Sequence, residues 1–248
     1  MENSLVSSLF PIGLAALHVV VGKLHWLDRI LPKERWISLG AGVSIAYIFL
    51  DILPELGKAQ VEIEHLKWSF IEFLEKHSYI LALVGLVLFY GLELLAARSR
   101  EANKSAGKSD STSVGIFWVH IGAFALYNAL IGELLSHTET RGFLPTLLLG
   151  ITLALHFLIN DRSLREHHKA PYDRIGRWVL AGALILGWVI GQSFQLLPGA
   201  IALLWALVAG GMILNVLKEE LPDTQESCFF TFSMSAGIYA VLLLAVSL

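Results

Sequence analysis

The sequence predicts an all-α integral membrane protein: an eight-transmembrane-helix bundle with both termini extracytoplasmic. Three observations predict it. First, hydrophobic residues fill 55% of 248 positions and charged residues only 16%, against roughly a quarter charged in a soluble domain. Mean hydropathy is +0.65. Second, the apolar residues gather into eight runs near the ~20 residues that a helix needs to cross a bilayer. Third, the Lys and Arg residues fall mostly in alternate loops, which sets an orientation. The spans read as one transmembrane domain over 1–248.

Span 1 covers 5–22 and carries His18. Met1, Glu2 and Asn3 precede it without a Lys or Arg, so it reads as a retained span rather than a cleaved leader. Span 2 covers 36–56 and ends in Asp51, Pro54 and Glu55. In residues 58–77 apolar Ile63, Leu66, Phe70, Phe73 and Leu74 recur at helical spacing between Glu62, Lys67, Glu72 and Lys76. That pattern fits an interfacial helix or an outward extension of span 3. Span 3 covers 78–97. Residues 98–113 (RSREANKSAGKSDSTS) are polar and turn-rich, and read as a flexible loop.

Span 4 (114–135) and span 5 (143–160) share a short loop, so they are antiparallel neighbours. Spans 6 (176–195), 7 (200–217) and 8 (229–247) hold few or no charges. Lipid-spanning backbone must satisfy its own hydrogen bonds, and these runs do not alternate as barrel strands do, so they are helices. Small residues mark close contacts: Gly40, Ala41, Gly42 and Ala46 in span 2, Gly182, Gly187 and Gly191 in span 6, Gly210 and Gly211 in span 7. These three spans should pack closely, within the bundle or against a second copy in a homodimer.

Loops 1–2, 3–4, 5–6 and 7–8 hold 14 of the 18 Lys and Arg residues; Lys58, Lys67, Lys76 and Arg141 lie on the other side. The richer side is cytoplasmic by the positive-inside rule. The membrane is a plasma or inner membrane, or an internal one. One cysteine, Cys228, excludes an intrachain disulfide framework and a Cys-rich zinc site. A net charge of −3 points to no nucleic-acid partner.

Polar groups inside spans cost about 2.5 kcal/mol or more each, so each needs a reason. Spans 4 and 5 are the informative pair. His120 and Asn128 lie eight residues apart, nearly on one face. His156 and Asn160 lie four apart and share a face, with Asp161 adjoining. Imidazole, amide oxygen and carboxylate on facing helices suit a divalent metal, zinc above all. The alternative is helix–helix hydrogen bonding, which His18 and His120 alone would satisfy. Asp51 and Glu55 read as an acidic mouth, and Glu133 as a vestibule charge. Gln192 and Gln195 are the polar groups of span 6. Glu93 reads as a boundary residue a turn from Arg98, and His167 and His168 as solvated loop residues.

At these residues the chain resembles the ZIP (Zrt/Irt-like) family of divalent metal transporters. GAGVSIAYIFLDILPEL (40–56) is similar to the family's span 2, with Asp51 in place of a His. GGMILNVLKEELP (210–222) resembles its span 7. YNALIGELL (127–135) stands where the family has His-Asn-x-Pro-Glu-Gly, and HFLIND (156–161) where it has His-Glu-x-Pro-(His/Gln)-Glu. The resemblance implies eight spans, both termini outside, and Asn128, His156, Asn160 and Asp161 as site residues. Tyr127 replaces a metal-binding His, Ile131 and Phe157 replace Glu, and Leu130 and Ile159 replace the prolines.

The function expected is transport of a divalent cation, with zinc as substrate and no organic cofactor. The route would lie among spans 2, 4, 5 and 7, lined by His156, Asn160, Asp161, Asn128 and His120, with Tyr127, Asp51, Glu55, Glu133 and Gln192 along the path. One helix group rocking against another would give alternating access. The apolar replacements favour a second reading, a ZIP-fold protein that senses metal or regulates without transport. An intramembrane zinc hydrolase is a third class. The chain shows no His and carboxylate triad and no nucleophile on a Gly-flanked turn, so it reads as no enzyme.

Overall fold

The structure, a computed structural model, describes residues 2–20, 33–64, 78–136, 143–194, 197–220 and 228–247. Every regular element among them is a helix. Helix α1 is Glu2–Val20. Helix α2, Lys33–Tyr47, passes through a π-helical turn, Ile48–Ile52, into α3, Leu53–Glu64. Then come α4 (Ser78–Ser105), α5 (Val114–Ser136) and α6 (Phe143–His168). A second π turn, Tyr172–Gly176, leads into α7, Arg177–Ser193. Helix α8 (Pro198–Asn215) runs into a third, Val216–Glu220, and α9 is Phe229–Ser247.

Six helical stretches among the described residues are long and apolar enough to cross a membrane: Ile37–Glu62, Ser78–Ser105, Val114–Ser136, Phe143–His168, Tyr172–Ser193 and Gly199–Lys218. Leu9–Val20 and Phe229–Ala245 are shorter apolar helices. Outward faces are apolar too. Leu83, Val87 and Leu88 on α4 and Phe229 and Phe230 on α9 are all exposed. Contiguous exposed apolar surface on this scale belongs in lipid rather than water. The chain is a multi-pass membrane protein.

Local chemistry explains the joints. Pro54 has no N–H to donate, and a proline within a helix leaves the carbonyl four residues earlier unpaired. The π turn Ile48–Ile52 sits at that place, re-spacing the ladder as π turns do. Helix α6 stops at His168 because Lys169 adopts φ +53, the sole positive φ among described non-glycine residues. Pro171 follows, as prolines commonly do just past a helix end. Lys169→Val should cost about 1–2 kcal/mol, because a β-branched side chain resists this conformation. A melting temperature equal to that of the parent protein would refute the point.

The single domain expected over 1–248 comprises two compact units, Met1–Ile30 with Gly91–Phe194, and Leu31–Tyr90 with Gln195–Leu248. In the first, α5 and α7 meet backbone to backbone. A Cβ on Gly132 would overlap the Leu184 carbonyl, one on Gly187 the Ala129 carbonyl, and one on Gly191 the Ser136 hydroxyl. Gln192 Nε2 donates to Ser136 O at 3.0 Å beside them. In the second, Gly42 of α2 lies against Phe232, Ser235 and Ala236 of α9. Gly85 of α4 faces the Leu207 carbonyl, and Gly210 of α8 faces that of Ala82. Gly42 of span 2, Gly187 and Gly191 of span 6 and Gly210 of span 7 thus mark close contacts, with α9, α5 and α4 respectively, whereas a Cβ on Gly182 of span 6 would meet nothing within 4 Å. Ser78 fixes the start of α4, its N–H donating to Gln60 Oε1 at 2.6 Å and its hydroxyl to Leu56 O at 2.8 Å.

Two connections differ from expectation. Residues 98–113 are only in part a loop. Helix α4 continues to Ser105, and the rest is tied down. Arg100 clasps Asp110 at 2.8 and 3.1 Å, and holds its carboxyl below the usual carboxylate range. Asn103 Nδ2 donates to Ser111 O at 2.8 Å, and the Ser113 N–H donates to Ser99 Oγ at 2.9 Å. The polar residues that suggested solvation here satisfy one another and the backbone. Residues 58–64 belong to α3, so they extend span 2 rather than span 3. Residues 65–77 lie outside the described residues, as do Lys23, Arg29, Arg141 and Gln195.

Candidate functional site

The first unit holds a run of buried polar side chains. His18, near the end of α1, lies 1% exposed between α5 and α6. Its Nδ1 donates to the Asp161 carboxylate, 2.8 Å from Oδ1 and 3.0 Å from Oδ2. Its Nε2 lies 2.9 Å from Asn128 Oδ1. The Asn128 amide nitrogen is committed to Phe124 O at 2.8 Å, which turns the oxygen toward the ring. Both ring nitrogens therefore face acceptors, which a doubly protonated imidazole satisfies. Asp161 is wholly buried and also accepts from the Tyr172 hydroxyl. Three helices and a π turn converge on this one ion pair.

A second group lies on α5 and α6. His156 Nε2 accepts from the Tyr127 hydroxyl at 2.6 Å and from the Asn160 amide at 2.9 Å. Two donors aimed at one nitrogen require that it carry a lone pair. All three residues are buried. The expected constellation of His156, Asn160, Asp161, Asn128 and His120 is thus not one cluster. Phe157 gives a physical reason. Its ring centroid lies 4.6 Å from that of His18 and 6.2 Å from that of His156, so apolar ring surface packs against both histidines. Among the described residues, no three His, Cys, Asp or Glu side chains form a ready-made metal cluster.

His120 belongs to a third group, farther along α5. Its Nδ1 lies 2.9 Å from His168 Nε2, and His168 Nδ1 lies 2.6 Å from Thr112 Oγ1. Its Nε2 lies 3.1 Å from Glu93 Oε1. His167 Nε2 lies 3.5 Å from Glu93 Oε2. Two expectations change here. Glu93 is a buried residue of α4, 3% exposed, rather than a boundary charge. His168 is completely buried rather than solvated, because α6 runs through the basic stretch to its end and turns this ring inward. The Thr112 N–H also donates to His167 O at 3.2 Å, tying the 106–113 segment to the end of α6.

The remaining predicted residues are dispersed. Glu133 is buried in α5, 5% exposed, rather than open in a vestibule. Gln192 is exposed and caps Ser136 O. In the second unit Asp51 sits half-buried in the π turn Ile48–Ile52, and Glu55 pairs with Lys58 at 2.7 Å.

Three site residues escaped the sequence reading of the metal site. His18 was read only as a hydrogen-bonding residue, and its partners lie 110 and 143 positions away. Tyr172 follows Pro171 in a stretch with no periodic signal. His168 is hidden in a basic run. The signal that could have found His18 is general: an ionisable group in a short apolar span needs a charged partner. Comparison of the chain with protein-family models, with curated proteins and with solved structures finds no match.

Proposed function

We propose that the protein is a ZIP-like, eight-span membrane transporter of divalent metal cations, with both termini extracytoplasmic and zinc as the best-suited substrate. One observation carries the reading. His156 Nε2 is buried within a membrane-length helix and keeps its lone pair, accepting from Tyr127 and Asn160. Neutral imidazole, its lone pair on one ring nitrogen, is the form that ligates metal once the groups donating to that nitrogen are displaced. The Asn160 side-chain oxygen and the Tyr127 oxygen are the further donors at hand. A cation arriving there would replace two hydrogen bonds with ligand bonds, which favours binding loose enough for release. The His18–Asp161–Asn128 group adds a carboxylate one residue along α6 from Asn160.

Uptake of zinc into vesicles loaded with a zinc-sensitive dye tests this reading. The variant pairs His156→Ala with Asp161→Asn, the second keeping the size and one acceptor oxygen of Asp161. Uptake should fall at least tenfold. Uptake that survives in the double variant overturns the proposed ligands.

A second reading has its own support. Ile131 and Phe157 are both fully buried apolar residues at positions where the family it resembles places carboxylates. The polar groups around them are mutually satisfied. A ZIP-fold protein with a sensing or regulatory role would show no zinc uptake above empty vesicles in the parent protein.

A further inference from the structure

The third polar group stands apart from the proposed path and has a feature the other two lack. His120 is 1% exposed, yet its Nε2 has no aligned hydrogen-bond partner. The nearest acceptor, Glu93 Oε1 at 3.1 Å, is near enough to attract but not placed along the N–H direction. His167 Nδ1 is likewise buried without a partner, while its Nε2 faces the other Glu93 oxygen at 3.5 Å.

Proton counting sharpens this. His120 Nδ1 is committed to His168, and His168 to Thr112. If the protons run outward along that chain, each Nδ1–H donates onward and His120 Nε2 keeps a lone pair. That lone pair then faces a carboxylate, an arrangement that repels unless a positive charge lies between. If the protons run inward, Nε2–H is a buried donor with nothing aligned to receive it, which also costs free energy. In either neutral form of His120, a cation held between its Nε2 and the Glu93 carboxylate would relieve the mismatch. The spacings suit one. Two ligand atoms on a tetrahedral zinc lie about 3.3 Å apart, and the two imidazole-to-carboxylate separations are 3.1 and 3.5 Å.

We propose that Glu93, His120 and His167 bind a zinc-class divalent cation between the middle of α4, the first turns of α5 and the last turn of α6. Glu93 supplies its carboxylate, and His120 and His167 supply Nε2. His168 is a positioning residue: it holds His120 Nδ1 and so aims Nε2 at the seat, the supporting role that a metal ligand's second nitrogen commonly needs. The three donors do not meet at one point without the ion, since each imidazole faces its own carboxylate oxygen. His167 is the ligand that closes, being on the last turn of α6 and the most exposed of the three at 15%. Two imidazoles exclude magnesium and calcium, which prefer oxygen donors.

The test is a cobalt titration of the full chain in detergent, freed of metal with a chelator. His156→Ala is the background, so that the separate site contributes no signal. One cobalt per chain should bind, with visible absorption bands of a four-coordinate ion, and zinc should displace it. Adding Glu93→Gln or His167→Ala should weaken cobalt binding at least tenfold. His167→Ala changes a partly exposed side chain at a helix end, so it serves if Glu93→Gln does not elute as a single species. No cobalt bands in the background protein, or equal binding with His167→Ala, overturns the proposal. Zinc uptake is read separately, so its loss would refute the transport reading and leave this site standing.

Discussion

Gly187→Val is expected to destabilise the first unit severely. A Cβ at this position would overlap the Ala129 carbonyl, and its nearest neighbours there are backbone atoms that no rotamer change can move aside. Overpacking a flexible core costs about 1–3 kcal/mol; here the helices themselves must separate, so at least about 3 kcal/mol is expected. In a bilayer this is severe, because helix association rests on close packing at small residues rather than on hydrophobic transfer. The measurement is the yield and melting temperature of monodisperse protein. Gly182→Ala is the matched control on the same helix, since a Cβ there meets nothing within 4 Å. Equal melting temperatures for Gly187→Val and Gly182→Ala would show that the backbone contact does not govern stability.

Asp161→Ala carries the second large effect. The carboxylate is fully buried and receives His18 Nδ1 and the Tyr172 hydroxyl. Removing it leaves a buried imidazole and a buried phenol without an acceptor. Breaking a buried ion pair from one side typically costs about 3–5 kcal/mol. Asp161→Asn keeps one acceptor oxygen and should cost markedly less, about 1–3 kcal/mol, the range for one unsatisfied buried group. A double-mutant cycle separates the pair from its surroundings. Adding His18→Ala to Asp161→Ala should cost less than the sum of the two single changes, because the orphaned charge disappears with its partner. Strict additivity would mean that His18 and Asp161 do not act as a pair.

Most helix ends were legible because apolar runs in this chain stop abruptly. Helices α5 and α9 begin at 114 and 229, where the hydropathy pattern starts the corresponding spans. The overruns were not legible. Helix α4 passes through Arg98 and Arg100, and α6 through Arg162 and Arg165, because a helix does not end where its apolar face ends. It ends where its backbone finds other partners, such as the Gly107 N–H on Lys104 O and the Lys108 N–H on Asn103 O for α4, or an αL residue at Lys169 for α6. The candidate site was half legible. Four-residue spacing joined His156 to Asn160, since local geometry alone dictates that pair. Nothing local joins His18 to Asp161 or Glu93 to His120. Those meetings depend on how helices distant in sequence pack, and periodicity does not carry that information. Phe157 shows the limit most plainly. Sequence proximity groups Asn128, Asp161 and His156, but Asn128 and Asp161 meet through His18 while His156 bonds Tyr127 and Asn160, with the Phe157 ring against both histidines.

The reciprocal glycines of α5 and α7 also restrict how this part of the molecule can move. Gly132 sits on the Leu184 carbonyl and Gly187 on that of Ala129, with Gly191 against Ser136. A slide of one residue along the axis, about 1.5 Å, would bring side chains onto positions where only hydrogen fits. Rotation about either axis meets the same obstacle. These two helices are therefore keyed together like meshed teeth. Any rearrangement of the first unit must carry α5 and α7 as one rigid piece, with the displacement taken up elsewhere.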